Sequence, residues 1–349
     1  MNRFKLRLPV VIFFSFISSA LYAQKTKAYW QQEVNYNIQV TLNDSTHFLT
    51  GTISIEYINH SPDTLRYIWF HLWPNAYKNN STAFAKQELE NGSTEFHYSA
   101  PADRGYIDQL DFRINDHTAA TIYDSTNIDI AKLLLTEPLL PEGSITITTP
   151  FHVKIPRTFS RFGHVGQSYQ VTQWYPKPAV YDRFGWHPMP YLDQGEFYSE
   201  FGSFHVSVTL PKNYVVGATG TLLNETENKW LDSLAQANQR KFENRKQSGN
   251  EPPPSPFEKN KDDNSFPPSD HETKTLQYVA DHVHDFAWFA DKRYHVMKSH
   301  VDLPGKNSTI TTWTMFLDKH AAQWKHAIHF VDSAVIYYSK WVGDYPYPQ

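Results

Sequence analysis

Seventeen histidines and no cysteine make a zinc site of imidazoles and carboxylates the first chemistry to look for. The missing cysteines exclude a disulfide, a thiolate metal site and a thiol nucleophile. The pattern H-E-x-x-H, which sets two imidazoles on one helix face with a glutamate between them, is absent: His271-Glu272 is followed by Thr273, Lys274 and Thr275, and no glutamate separates His326 from His329. His282 and His284 lie two apart. On a strand both rings would project from one face and would suit zinc if a third ligand arrived from elsewhere. No third ligand stands out, and a polar strand face is the simpler explanation. Asp193, Glu196 and Glu200 offer carboxylates of the kind a glycosidase sets across a sugar, although solvation at turns and strand edges accounts for them more cheaply. Gly217-Ala218-Thr219-Gly220 lacks the Lys-Ser/Thr of a phosphate loop, and no G-x-S-x-G nucleophile elbow occurs.

The densest concentration of costly side chains is Gln170 to Tyr191, QVTQWYPKPAVYDRFGWHPMPY. Trp174 and Trp186, Tyr175, Tyr181 and Tyr191 sit there among Pro176, Pro178, Pro188 and Pro190. Proline fixes φ and removes a donor, so neither a central strand nor a long helix runs through this segment. An ordered irregular loop is expected. Its rings suit an aromatic plug closing one end of a β-sandwich, or the wall of a binding cleft, since loops on a rigid scaffold carry function.

The elements that position this loop follow from periodicity. Ile53, Ile55 and Tyr57 alternate with Thr52, Ser54 and Glu56, the mark of a half-buried strand. The alternation returns in Ile145 to Thr148 and in Val206, Val208 and Leu210, while Leu65 to Trp73 and Ile107 to Ile114 are further strand candidates. Asn75 to Arg104 is polar and mixed, an excursion between strands. Many strands with turn clusters between them predict a mainly β fold, an antiparallel β-sandwich. From Gln239 to Glu272 the chain is rich in Pro, Lys, Glu, Asp, Asn and Ser and nearly without aliphatics, so residues 239–272 are expected to form a flexible surface insertion. Order resumes at Lys274 to Ala280, Asp285 to Asp291, Tyr294 to Val301 and Thr309 to Phe316. Thereafter Trp324, Ile328, Val331, Val335, Tyr338 and Val342 form one stripe on a single helix of about six turns. Asp318 is its expected N-cap and Gly343 its stop.

Composition sets the outer limits. The 349 residues carry 32 basic and 36 acidic side chains and a formal net charge of -4, which gives no general attraction to nucleic acid or anionic lipid. Met1 to Arg7 is basic, Leu8 to Ile17 apolar, and Ser18, Ser19, Ala20 and Ala23 small: a signal peptide over residues 1–23, cut after Ala23, with cleavage after Ala20 the alternative. Export to a periplasmic or extracellular compartment follows. No segment of the mature chain is expected to span a membrane.

Several separated stretches resemble the aminopeptidase N family of zinc metallopeptidases. The T-Q-x-x-P segment of that family's β-sandwich appears as Thr172-Gln173-Trp174-Tyr175-Pro176. Glu196-Phe197-Tyr198, Phe204 to Pro211 and Val215 to Gly220 are similar to the strands closing that domain, Asp285 to Ala290 to the strand leading into the catalytic domain, and Val342 to Pro348 to the turn after its first long helix. The resemblance implies an amino-terminal β-sandwich domain over residues 24–283 and, over 284–349, the start of a thermolysin-like α/β catalytic domain. It implies peptide substrates for the complete protein. Zinc would be held by ligands that do not occur in this chain, with no catalytic and no metal residue here. Gln173 matches a cleft-lining position and Tyr175 one that often carries Glu or Gln against the peptide's amino terminus, so Gln173 and Tyr175 are the expected substrate-binding residues. A tyrosine at the second position departs from the family's pattern. The alternative is a non-catalytic secreted β-sandwich module that binds protein or glycan through the aromatic loop.

Overall fold

Residues 29–247, 265–303 and 309–349 are described by the computed structural model. The expected signal peptide, with its cleavage site, lies outside the described residues.

Alternation builds the frame. In β1 (Glu33–Asn43), Val34, Tyr36, Ile38, Val40 and Leu42 are buried while the residues between them face outward. β2 (Phe48–Ile58), β3 (Leu65–His71), β4 (Ile130–Leu139), β5 (Ser144–Lys154) and β6 (Ser168–Val171) follow. Next come β7 (Gly202–Pro211), β8 (Val215–Ala218), β9 (Thr221–Leu222), β10 (Thr273–Val283) and β11 (Trp288–Asp291). The largest sheet runs β9-β10-β7-β1-β2-β5 and continues into short strands at Arg113–Ile114 and His117–Thr118. A second sheet joins Gly163–Val165, β6, β11 and β8; a third joins Lys177–Pro178, β3, β4 and Thr121–Tyr123. Side chains from all three sheets enter one continuous core.

The fold is mainly β, and most of its described strand pairs are antiparallel. β1 and β7 run parallel, Tyr36 opposite Phe204, with those two rings stacked at 4.4 Å. A parallel neighbour needs a long crossover, and the chain between β2 and β7 supplies it while building the other sheets. Gly202 permits the approach, because a Cβ there would overlap the Val34 carbonyl.

A hairpin, β12 (His295–Asp302) with β13 (Thr309–Phe316), stands apart from these sheets. Helix α1 (Ala83–Glu90) begins at Thr82, whose Oγ1 accepts the Ala85 N–H at 3.2 Å. Helix α2 (Glu225–Gln247) was not legible as a helix. Its stripe of Glu227, Leu231, Ala235, Asn238 and Phe242 is buried, but two of those five residues are polar, which masks the period. The amino-terminal half is tied to the sandwich by Glu227 against Lys274 Nζ at 2.5 Å. Its middle reaches the hairpin through Asp232 on Lys298 (2.6 Å) and Asn238 Nδ2 on the Val296 carbonyl (3.2 Å).

This helix corrects the insertion expected over 239–272. Residues 239–247 are helical, and at the far end Ser269 donates to Asp44 while Phe266 lies under the Arg293 guanidinium at 3.7 Å; residues 248–264 lie outside the described residues. Beyond residue 283, β11 pairs with both β6 and β8 inside the sandwich. The long helix after Asp318 is divided. A short turn at Asp318–His320 leads to α3 (Ala321–Trp324), and α4 (Ala327–Val342) restarts two residues later. Gly343, at φ 122°, ends it. Among the described residues no helix is long and apolar enough to cross a membrane.

Candidate functional site

The Gln170–Tyr191 loop has the ordered irregular form its prolines require. Lys177–Pro178 pairs with Phe70 and His71, and Tyr181–Asp182 closes a small hairpin on Gly185–Trp186. Trp174, Tyr175 and Tyr191 are fully buried. Trp174 donates Nε1–H to the Phe286 carbonyl at 3.0 Å and sets its ring edge-on to Trp288. The loop is therefore a plug, and it is fastened to the segment between β10 and β11.

Asp285 is the fastening point. Its Oδ1 accepts from the Tyr175 hydroxyl at 2.6 Å and from the Phe286 N–H at 2.8 Å, and lies 3.2 Å from Lys177 Nζ. Among the described residues its Oδ2 accepts from Gln173 Nε2, at 3.3 Å. Lys177 is 1% exposed and gives a second bond to the His284 carbonyl at 2.5 Å. Burial alone would raise the Asp285 pKa; the Lys177 charge and the Tyr175 and Phe286 donors outweigh it and hold the carboxyl below its ordinary value. Burial pushes the Tyr175 phenol well up, and the Asp285 charge adds to this, so it stays protonated and donates. Burial draws Lys177 down, opposed by Asp285.

A cavity of about 1020 Å³ opens on the other side of Asp285. The sandwich contributes Gly217 to Leu222 and Tyr278 to Asp285; β13, α4 and residues 345–349 form the facing wall. The last of these are pinned by the Tyr347 hydroxyl on the His282 carbonyl at 2.8 Å and by the Thr311 N–H on the Pro348 carbonyl at 2.9 Å. The lining is mixed: Val216, Leu222, Ile310 and Met315 share it with Thr219, Asn228, Asp281, His282, His284 and Asp285.

The two residues expected to meet substrate, Tyr175 and Gln173, both contact Asp285. Tyr175 is enclosed in the core at 1% exposure, and its hydroxyl donates to Asp285. The phenol fills the core and reaches a carboxylate on another segment. Gln173 is half-buried, at φ 49°, and is absent from the cavity lining. A carboxylate only accepts, so the Gln173 amide must turn Nε2 toward Asp285; Oε1 is then left buried without a partner. Left-handed backbone in a non-glycine residue costs of order 1 kcal/mol and persists where surroundings over-determine it. Lys177 and Asp285 were missed by sequence reasoning. The available signal was a lysine between two prolines in an otherwise aromatic run, a poor place for a solvated charge.

The other candidates do not converge. His282 and His284 are exposed, His282 at φ 55°, and among the described residues no group of three His, Asp or Glu side chains is placed to hold a metal. The described residues do not fit zinc. Asp193 accepts from Ser160 Oγ at 2.5 Å and Glu196 is exposed. Glu200 is buried, takes the Tyr181 N–H at 3.3 Å, and is raised by burial to about 7.

A scan against protein-family models finds none that matches, and a search of curated proteins finds none. Solved structures do match. An M1 zinc metallopeptidase from Deinococcus radiodurans superposes with a TM-score of 0.50 and 11% identity over 91% of this chain. A variant of that enzyme bound to a Tyr-Ser-Ala substrate gives the same values. The relationship is one of fold. The chain spans 55% of the length of those structures.

Proposed function

We propose that the complete protein is an exported zinc metallopeptidase that hydrolyses peptide bonds near the amino terminus of its substrates. In this reading residues 24–349 supply its β-sandwich and the start of its catalytic domain. The observation that carries the reading is the cavity: it lies between the sandwich and the hairpin–helix unit, in a chain that shares its fold over 91% of its length with a zinc metallopeptidase. One such structure holds a tripeptide substrate. The basic, apolar and small-residue order of Met1 to Ala23 supports export. In this reading the zinc ligands belong to the remainder of the complete protein. What this chain contributes is a rigid wall: the plug and the Lys177–Asp285 pair fix one side of the space in which a peptide would lie.

The test is hydrolysis of unblocked peptides by the complete protein, with metal content measured alongside. About one zinc per chain is expected, with activity lost to a chelator and restored by zinc. A folded complete protein that cleaves no peptide would overturn the reading.

A further inference from the structure

Two prolines leave the segment from His187 to Tyr191 with three backbone N–H groups. His187 gives its own to the Val180 carbonyl at 2.9 Å. The other two go to buried side chains, Met189 N–H to His71 Nε2 at 3.0 Å and Tyr191 N–H to Asp129 Oδ2 at 2.6 Å. At the other end of the same strap, Tyr181 N–H meets Glu200 Oε1 at 3.3 Å. Residues 181–191 are thus held at both ends by a carboxyl, 1% exposed at Asp129 and 3% at Glu200. Asp285 has Lys177 beside it, whereas among the described residues neither Asp129 nor Glu200 forms an ion pair. Asp129 Oδ1 is buried with no partner.

The groups around these carboxyls add no cation. Asp124 acts on Asp129 and Asp182 on Glu200, each opposing ionisation, and Gln31 gives Glu200 only a neutral donor. Burial pushes the phenols of Tyr36, Tyr57 and Tyr198 up, and Glu200 adds to this, so they stay protonated. His71 is lowered to about 3 by burial and the Lys177 charge and accepts as a neutral ring. Lys177 is turned to Asp285, and Arg161 to the Asp193 and Gly195 carbonyls. An anion accepts an N–H more strongly than a protonated carboxyl does. Burial without a cation outweighs that gain, lifting Asp129 to about 6 and Glu200 to about 7.

We propose that residues 181–191 form a pH-sensitive strap, fastened while Asp129 and Glu200 hold their protons and loosened as both ionise. Opening the strap returns the two carboxyls to water and to their ordinary values of 3.8 and 4.5. The closed strap therefore holds protons that the opened one sheds, and closure weakens as pH rises from those values to about 7. This holds whether or not the complete protein cleaves peptides.

Amide exchange of the complete protein, corrected for intrinsic rates, tests this between pH 5 and pH 8. Protection at Tyr181, Met189 and Tyr191 should fall about tenfold or more across that range, while the amides between β2 and β5 keep theirs. Asp129→Asn combined with Glu200→Gln keeps an acceptor at each position and removes the ionisation, so the strap should stay fastened at pH 8. His187, 2.8 Å from Asp182, is the other titratable group on the strap; His187→Gln should leave the fall in place. Protection that does not change with pH in the wild type, or a fall that vanishes in His187→Gln or persists in the double variant, would overturn the proposal. If the double variant does not fold, carbon NMR titration of the wild-type carboxyls decides. Midpoints of about 6 for Asp129 and about 7 for Glu200 support the strap, and ordinary midpoints for both overturn it.

Discussion

The sandwich and helix α4 treat their large side chains in opposite ways. Around Asp285, Trp174, Tyr175 and Lys177 are enclosed and most polar atoms near them have a partner. On α4 only Ile328 and Ser339 are buried, while Phe330, Trp341 and Val342 are 72%, 70% and 81% exposed. Its inner residues pack on the hairpin through a small cluster that includes Val301, Ile310 and Val335. The sandwich closes its core with three sheets; α4 has one neighbour surface for a helix that is apolar on more than one side. Among the described residues the sandwich is the more closely packed region, and α4 carries an exposed apolar patch.

The largest effect is expected from unbalancing the buried pair. Asp285→Asn leaves Lys177 uncompensated and should lower the unfolding free energy by about 3 to 5 kcal/mol, with most of the loss recovered by adding Lys177→Met. Denaturant unfolding of the three variants checks it, and a cost that the second change does not relieve would place the effect elsewhere. A smaller, pH-dependent effect should come from Glu200. Its folded pKa of about 7 lies above its ordinary 4.5, so the folded state holds a proton that the unfolded chain releases, and stability falls as pH rises between those values. Glu200→Gln should thus gain about 1 to 3 kcal/mol at pH 8 and nothing below pH 4. Equal effects at both pH values would show that the carboxyl does not titrate there. On α4, Phe330→Ser with Trp341→Ser should shift unfolding by less than about 0.5 kcal/mol while reducing self-association seen by light scattering. A large loss of stability would mean those rings are packed after all.

Much of the sandwich was legible because period-two alternation is a local signal. β2 buries Ile53, Ile55 and Tyr57 and β7 buries Val206, Val208 and Leu210 as their patterns predict, while in β5 Ile147 is buried and Ile145 half-buried. Helix α2 was not, because Glu227 and Asn238 sit on its buried stripe and satisfy themselves against Lys274 and Val296, contacts between distant segments. The same limit applied to the polar stretch. Ser269 belongs to a composition that cannot build a core, yet it is bound because Asp44 and Lys292 wait for it.

The candidate site divides along the same line. Prolines and aromatic residues between Gln170 and Tyr191 were enough to establish an ordered loop, since fixed φ angles and large rings act locally. The absence of cysteine and of H-E-x-x-H likewise followed from sequence, as did the motif resemblance carried by Thr172 to Pro176. What faces what was decided by tertiary structure alone. Tyr175 and Lys177 lie more than a hundred residues from Asp285 in sequence. The pairing of β11 with β6 and β8 brings that carboxylate to the plug on one side and the cavity on the other. Charge, burial and accessibility of a carboxylate depend on such neighbours, and sequence order does not encode them.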